Sequence, residues 1–166
     1  MSQTSARIVS EASRPGDRDK LGRRVADLLA GAWRGSAQTA DGNLRLSAAE
    51  LTEIVPLLCE SGAGALAWWQ IRNTQLASTA PGQELQEVYR LFRLSALIHE
   101  REIAHVLSLL RAEGIEPVLI KGWAIARLYP EPGLRPYGDI DLCIRPDQLA
   151  QASAALKCSC CRPTGG

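Results

Sequence analysis

The sequence predicts an α+β fold, with a helical N-terminal region feeding a small sheet. Three observations carry that expectation. Apolar residues recur at helical spacing in successive runs between Leu21 and Leu110. A short oily run, Val118-Leu119-Ile120, lies between Pro117 and Gly122 and reads as a strand. The run Gly138 to Ile144, GDIDLCI, then alternates side chains with the period of two that a half-buried strand requires.

Residues 1–18 hold Ser, Thr, Arg, Pro and Gly without periodicity and read as a disordered leader. From Leu21 to Trp33 the positions Leu21, Val25, Leu28, Leu29 and Trp33 predict a helix, followed by the polar linker GSAQTADGNLR. Ser47 and Glu50 spell a capping box, S-x-x-E, that starts a helix through Leu51, Ile54, Val55, Leu58 and Cys59. The segment Ser61 to Ala67, SGAGALA, has the outline of a dinucleotide-binding G-x-G-x-x-A loop. It follows a helix rather than a strand, and no acidic partner strand stands at the expected distance. It reads instead as an interhelical turn into the helix WWQIRNTQLAS.

The longest periodic stretch is Glu84 to Glu113, with Leu85, Val88, Phe92, Ser95, His99, Ile103, Val106 and Leu110 on one face and Gly114 as its C′ residue. His99 in that stripe and His105 at its edge read as packing residues, since neither has a second ligand-type residue at metal spacing. Glu116 to Lys121 is then a strand, Trp123 to Tyr129 one or two helical turns, and Gly138 to Ile144 a second strand. Arg145-Pro146-Asp147 breaks that strand. Asp147 to Lys157 is a helix with Leu149, Ala152 and Leu156 on one side and Asp147 as its N-cap. The expected organisation is a leader at 1–18, a helical region at 19–114, a partial α/β core at 115–157 and a disordered tail at 158–166.

Composition narrows the function classes. With 19 basic and 18 acidic residues the net charge is +1, which gives no electrostatic case for non-specific nucleic-acid or membrane binding. No apolar run approaches the ~20 residues that span a bilayer, and the polar N-terminus has no secretory h-region, so a cytoplasmic protein is expected. The five cysteines, Cys59, Cys143, Cys158, Cys160 and Cys161, are odd in number and crowd the tail, which is not a disulfide framework. A zinc reading of that tail lacks a fourth ligand and a recurrent pair spacing.

The chemistry-bearing residues fall between Val118 and Ile144. In GDIDLCI, Ile140, Leu142 and Ile144 share one face, and Asp139, Asp141 and Cys143 the other. Same-face residues two apart sit ~7 Å from each other at their α-carbons. Carboxylates so spaced can converge on Mg²⁺, which takes one or two carboxylates plus substrate phosphates. An acidic strand face can equally be a solvated face. Lys121-Gly122 stands where a strand turns into a helix, so free N–H groups there can receive phosphate, with Lys121 supplying charge. Arg135 either contacts the triphosphate or pairs with Asp139 or Asp141. Trp123, opening a short amphipathic helix, reads as core rather than as a platform for a base.

The run KGWAIARLYPEPGLRPYGDIDLCIRP is similar to the signature of the uncharacterised bacterial nucleotidyltransferase family within the DNA polymerase beta-like superfamily. The resemblance is specific over about residues 110–157 and rests on the Lys-Gly turn, the Leu-Tyr-Pro segment, the Arg-Pro pair and Gly-Asp-Ile-Asp-Leu. It implies a partial nucleotidyltransferase-like mixed sheet and Mg²⁺-dependent transfer of a nucleoside monophosphate from a triphosphate to an acceptor hydroxyl, with the acceptor left open. Asp139 and Asp141 would be catalytic metal carboxylates, and Lys121, Gly122, Arg135 and Gly138 would bind the nucleotide. Two departures follow from the same resemblance. Trp123 stands where a small residue usually follows the turn glycine, and the third carboxylate of the superfamily has no counterpart on this chain. The tail KCSCCRPTGG stands in place of a further strand and reads as a truncation or a shifted frame. The alternative function is a non-catalytic remnant that binds nucleotide or a protein partner.

Overall fold

The structure, a computed structural model, describes residues 15–30 and 46–160. Residues 1–14 of the expected leader, the last turn of the first helix, the linker at 35–45 and residues 161–166 of the expected tail lie outside the described residues, whereas residues 15–18 and 158–160, expected to be disordered, are helical. The described chain is α+β, with helices first and a two-stranded antiparallel sheet after them.

Helix α1 spans Pro15–Ala30 and opens at a proline, whose fixed φ and missing N–H suit the first helical turn. Helix α2, Ala48–Glu60, starts at the expected capping box: Glu50 N–H donates to Ser47 Oγ at 3.2 Å, and Ser47 N–H donates to Glu50 Oε2 at 2.8 Å. Arg24 of α1 reaches both Glu50 (3.1 Å) and Glu53 (2.6 Å) and joins the two helices. Gly62, at φ 75°, turns the chain into helix α3, Gly64–Ile71. Ser61 to Ala63 make the interhelical turn that the position after a helix implied, but Gly64 to Ala67 already lie in α3, which ends at Ile71 rather than Ser78, with a separate 3₁₀ turn at Gln75–Ser78.

Helix α4, Ala80–Ala112, is the spine of the molecule. It begins four residues before the expected Glu84 because Thr79 caps it and Pro81 occupies the first turn. It ends in a Schellman motif: Ile115 N–H donates to Leu110 O (3.0 Å) and Gly114 N–H to Arg111 O (2.9 Å), with Gly114 at φ 72°. Leu110 and Ile115, which that motif brings together, are both fully buried.

Two apolar clusters lie along this spine. Leu28, Leu51, Ile54, Val55, Leu58, Ala67, Trp68 and Ile71 gather around Leu85 near the start of α4. Leu110, Ile115 and Ala152, with Val106, Leu142, Ile144 and Leu156 packed against them, form a smaller cluster at its other end. The smaller cluster carries the sheet. Strand β1, Val118–Ile120, pairs with β2, Asp141–Cys143, in the register Val118 with Cys143, Leu119 with Leu142 and Ile120 with Asp141. A short helix α5, Gly122–Ala126, follows β1, and α6, Leu149–Cys160, follows a 3₁₀ turn at Pro146–Gln148.

Asp147 is not the cap of α6. It lies inside that 3₁₀ turn, and the Arg145 guanidinium takes its carboxylate with two hydrogen bonds of 3.1 and 2.9 Å. A bidentate arginine two residues away satisfies the carboxylate better than one helix N–H would.

Candidate functional site

The alternation of GDIDLCI fixes the faces of β2. Leu142 and Ile144 pack on the small core, while Cys143 is exposed and Asp141 keeps a side chain 33% exposed. The hydrogen-bonded strand is only Asp141–Cys143, shorter than the expected Gly138–Ile144. Asp139 therefore sits just outside the ladder, on an exposed segment. Among the described residues its carboxylate meets no hydrogen-bond donor and no basic side chain.

The antiparallel register brings the Lys121-Gly122 turn over the acidic segment. Ile120 lies opposite Asp141, so continuing the pairing sets Gly122 beside Asp139. A Cβ built on Gly122 would stand 3.5 Å from the Asp139 backbone oxygen and 3.1 Å from Tyr137 Cβ. The absent side chain is what lets these two segments approach. Lys121 Nζ reaches Asp141 Oδ1 at 3.2 Å, so in this structure its charge is directed at the carboxylate. Arg135 pairs with neither Asp139 nor Asp141 here. Its Nη1 donates to the Gly122 carbonyl at 3.0 Å and ties the 129–137 loop to the turn. Gly138 faces open space, with nothing within 4 Å of where its Cβ would stand.

The turn has one feature that the sequence did not signal. Lys121 holds φ 51° and ψ −120°, a backbone corner that favours glycine, while Gly122 lies in the ordinary helical range. Residues held in such regions cost of order 1–3 kcal/mol and persist only where their surroundings enforce them. Here β1, the first helical bond from Ile125 N–H to Lys121 O (2.8 Å), and the Arg135 clamp leave the corner no alternative. The result is a sharp strand-to-helix elbow whose apex projects a lysine. Helix α5 has five residues, so its dipole adds little; any phosphate would be received by the free N–H groups of the turn itself.

Behind the turn lies a second feature missed in sequence, a pocket of ≈ 240 Å³ between α4, α5 and the 129–137 loop. Trp123, Tyr129, Tyr137, Glu100 and Arg127 are among its walls, so Trp123 borders a cavity rather than filling a core. Tyr137 meets the His99 ring at 5.4 Å between centroids, and its phenol is pushed above the usual range by burial and then by the Glu100 charge. The buried His99 Nδ1 and Trp123 Nε1 have no partner, making this the least satisfied part of the described interior. None of Lys121, Gly122, Arg135, Gly138, Asp139 or Asp141 lines this pocket.

The loop is anchored well away from the turn. Tyr89 Oη donates to Glu131 Oε2 at 2.5 Å, Leu134 is fully buried, and Gly133, at φ 87°, lies against the α4 backbone at Arg93. These contacts set the position of Arg135 and, through it, of the turn.

No curated protein and no solved structure matches the chain. A comparison with protein families matches residues 46–165, from the capping box of α2 to past the end of α6, to one described as an uncharacterised nucleotidyltransferase. That match covers most of the chain and includes the whole sheet and turn, and the protein therefore belongs to this uncharacterised nucleotidyltransferase family.

Proposed function

We propose that the protein is a Mg²⁺-dependent nucleotidyltransferase of the DNA polymerase beta-like kind. It would move a nucleoside monophosphate from a triphosphate to an acceptor hydroxyl. The acceptor oxygen forms a bond to the α-phosphorus, the bond from that phosphorus to pyrophosphate breaks, and the hydroxyl proton passes to solvent. The observation that carries the reading is the placement of Asp139 and Asp141 against the Lys121-Gly122 turn, in a chain of this family.

The donor chemistry suits Mg²⁺. Asp139 offers a free, exposed carboxylate and Asp141 a partly exposed one, both hard oxygen ligands of the type the ion prefers. Asp139 and Asp141 would hold it; when bound it supplies charge neutralisation for the leaving pyrophosphate and acidity at the attacking oxygen. Gly122 and Gly138 leave room for phosphate oxygens to approach the backbone. Lys121 exchanges its carboxylate partner for phosphate charge as the nucleotide arrives. Arg135 positions the turn through the Gly122 carbonyl. The reading places the protein in the cytoplasm; among the described residues no helix is long and apolar enough to cross a membrane.

A second reading, a non-catalytic domain that binds nucleotide or a protein partner, is favoured by one observation. Asp147, the next acidic residue after Asp141, is held by the Arg145 guanidinium rather than joining the acidic segment. Calorimetric titration of nucleoside triphosphates, with and without Mg²⁺, tests what the two readings share. Weak, Mg²⁺-dependent binding that Asp139→Ala and Asp141→Ala each abolish is expected, and unchanged affinity in both variants overturns the site. Label transfer from an α-labelled triphosphate to a cell extract then separates the readings. Asp141-dependent labelling establishes catalysis, and binding without labelling establishes the second.

A further inference from the structure

The face of α4 turned away from both cores carries Leu91, Leu94, Leu97 and Ile98, each between 48 and 62% exposed. Buried Leu85, Ala96, Ile103 and Leu110 occupy the opposite side of the same helix, so the exposed band is a second apolar stripe. Its spacing is regular. Glu87, Leu91, Leu94, Ile98 and Arg101 follow one another by four, three, four and three residues, the pattern of a helix–helix seam. Four large apolar side chains within eight residues form a contiguous patch of the kind that marks an interaction surface.

The charges at its ends select the occupant. Glu87 and Arg101 lie seven residues to either side of Leu94, both exposed. An antiparallel copy of α4, related by a two-fold axis at Leu94, sets Glu87 of one chain level with Arg101 of the other at both ends. Leu94 then meets Leu94, and Leu91 meets Leu97, at the centre. A parallel copy in register would stack like charges instead. Arg101 has no acidic partner among the described residues, whereas Glu87 already pairs with Arg90 on its own helix and would be shared. A stripe that complements itself under a two-fold rotation is what an isologous interface requires. The near-neutral net charge of +1 opposes self-association little.

From this pattern we infer that two copies of the chain pair through an antiparallel α4–α4 contact centred on Leu94. The pairing leaves the acidic segment and the Lys121 turn outside the interface, since the neighbouring Trp123 and Tyr137 line a pocket with Ala96, on the buried side of α4.

Sedimentation equilibrium of the full chain over a wide concentration range tests the inference. A reversible dimer is expected, and Leu94→Glu should reduce it to monomer with the far-UV helix signal unchanged. Glu87→Arg and Arg101→Glu should each weaken association about tenfold, and the double swap should restore it. A monomer at every concentration overturns the inference. So does open-ended association, a dimer that survives Leu94→Glu, or single-swap effects that the double swap fails to reverse.

Discussion

Replacing Lys121 by glycine should make the fold more stable while weakening nucleotide binding. Lys121 sits at φ 51° and ψ −120°, the first corner of a mirror-image turn that glycine adopts freely. Relief of that strain contributes about 1–3 kcal/mol. Against it stands the extra freedom of glycine in the unfolded chain, about 0.5–1 kcal/mol. The 3.2 Å ion pair to Asp141 is lost as well, but with the lysine side chain 70% exposed it adds little, about 0.2–1 kcal/mol. Lys121→Ala loses the same ion pair and keeps the Cβ that makes the corner costly. The difference between the two variants therefore isolates the backbone, and should favour glycine by about 1 kcal/mol. Urea unfolding followed by far-UV circular dichroism measures it, as a midpoint for Lys121→Gly about 0.5 M above that of Lys121→Ala at unchanged slope. Calorimetry with Mg²⁺ and triphosphate should show both variants binding more weakly than wild type. A glycine variant less stable than the alanine variant would refute the strained elbow.

The remaining predictions concern the anchors of the 129–137 loop and the cap of α2. Gly133→Ala would place a Cβ at φ 87° and 2.6 Å from the Arg93 backbone, and should cost about 2–3 kcal/mol by thermal unfolding. Ser47→Ala removes the capping box and should cost about 1 kcal/mol. The Ser47 N–H, then its hydroxyl, then the Arg24 charge hold the Glu50 carboxyl below its usual range. A carboxyl depressed in the folded state stabilises above its unfolded pKa and loses that contribution as pH falls through the folded one. Unfolding midpoints should thus drop on acidification below about pH 4.3 in wild type and less steeply in Ser47→Ala. Tyr89→Phe removes the hydrogen bond to Glu131 and should cost about 1 kcal/mol. Burial and then Glu131 push the Tyr89 phenol up, so the variant should lack a late-ionising component in an absorbance titration.

Sequence patterns revealed most where the physics is local. The capping box at Ser47, the C′ glycine at 114 and the alternation of Leu142 and Ile144 with Asp141 all depend on neighbours within a few residues, and each stands as read. The elbow was half legible. Gly122 marked the turn, but the positive φ falls on Lys121, because a residue's strain is imposed by both flanking elements and leaves no trace in its own identity. The role of Arg135 depends on where loop 129–137 docks. That is set by Tyr89, Arg93 and Glu131, whose contacts span forty residues of sequence and have no period. Strand β2 is shorter than its alternation suggested, since pairing needs a partner and β1 offers only three residues. Asp147 misled for a similar reason, because an acid after proline suits a cap or a neighbouring arginine equally well.

The unequal cores along α4 bear on how amide hydrogens should exchange with solvent. Among the described residues the cluster near Leu85 has nine buried members, whereas the one beneath the sheet has three. Opening the smaller cluster exposes far less apolar surface, so the sheet, the elbow and α6 can detach as one cooperative unit while the rest stays folded. Helix α4 crosses the boundary. Its amides around Leu85 should be protected to the level of global unfolding, while those around Leu110 should exchange together with β1 and β2 at a lower free energy. A nucleotide seated between the Lys121 turn and the acidic segment would close that gap, and would be seen first as slowed exchange in the last turns of α4, remote from the ligand.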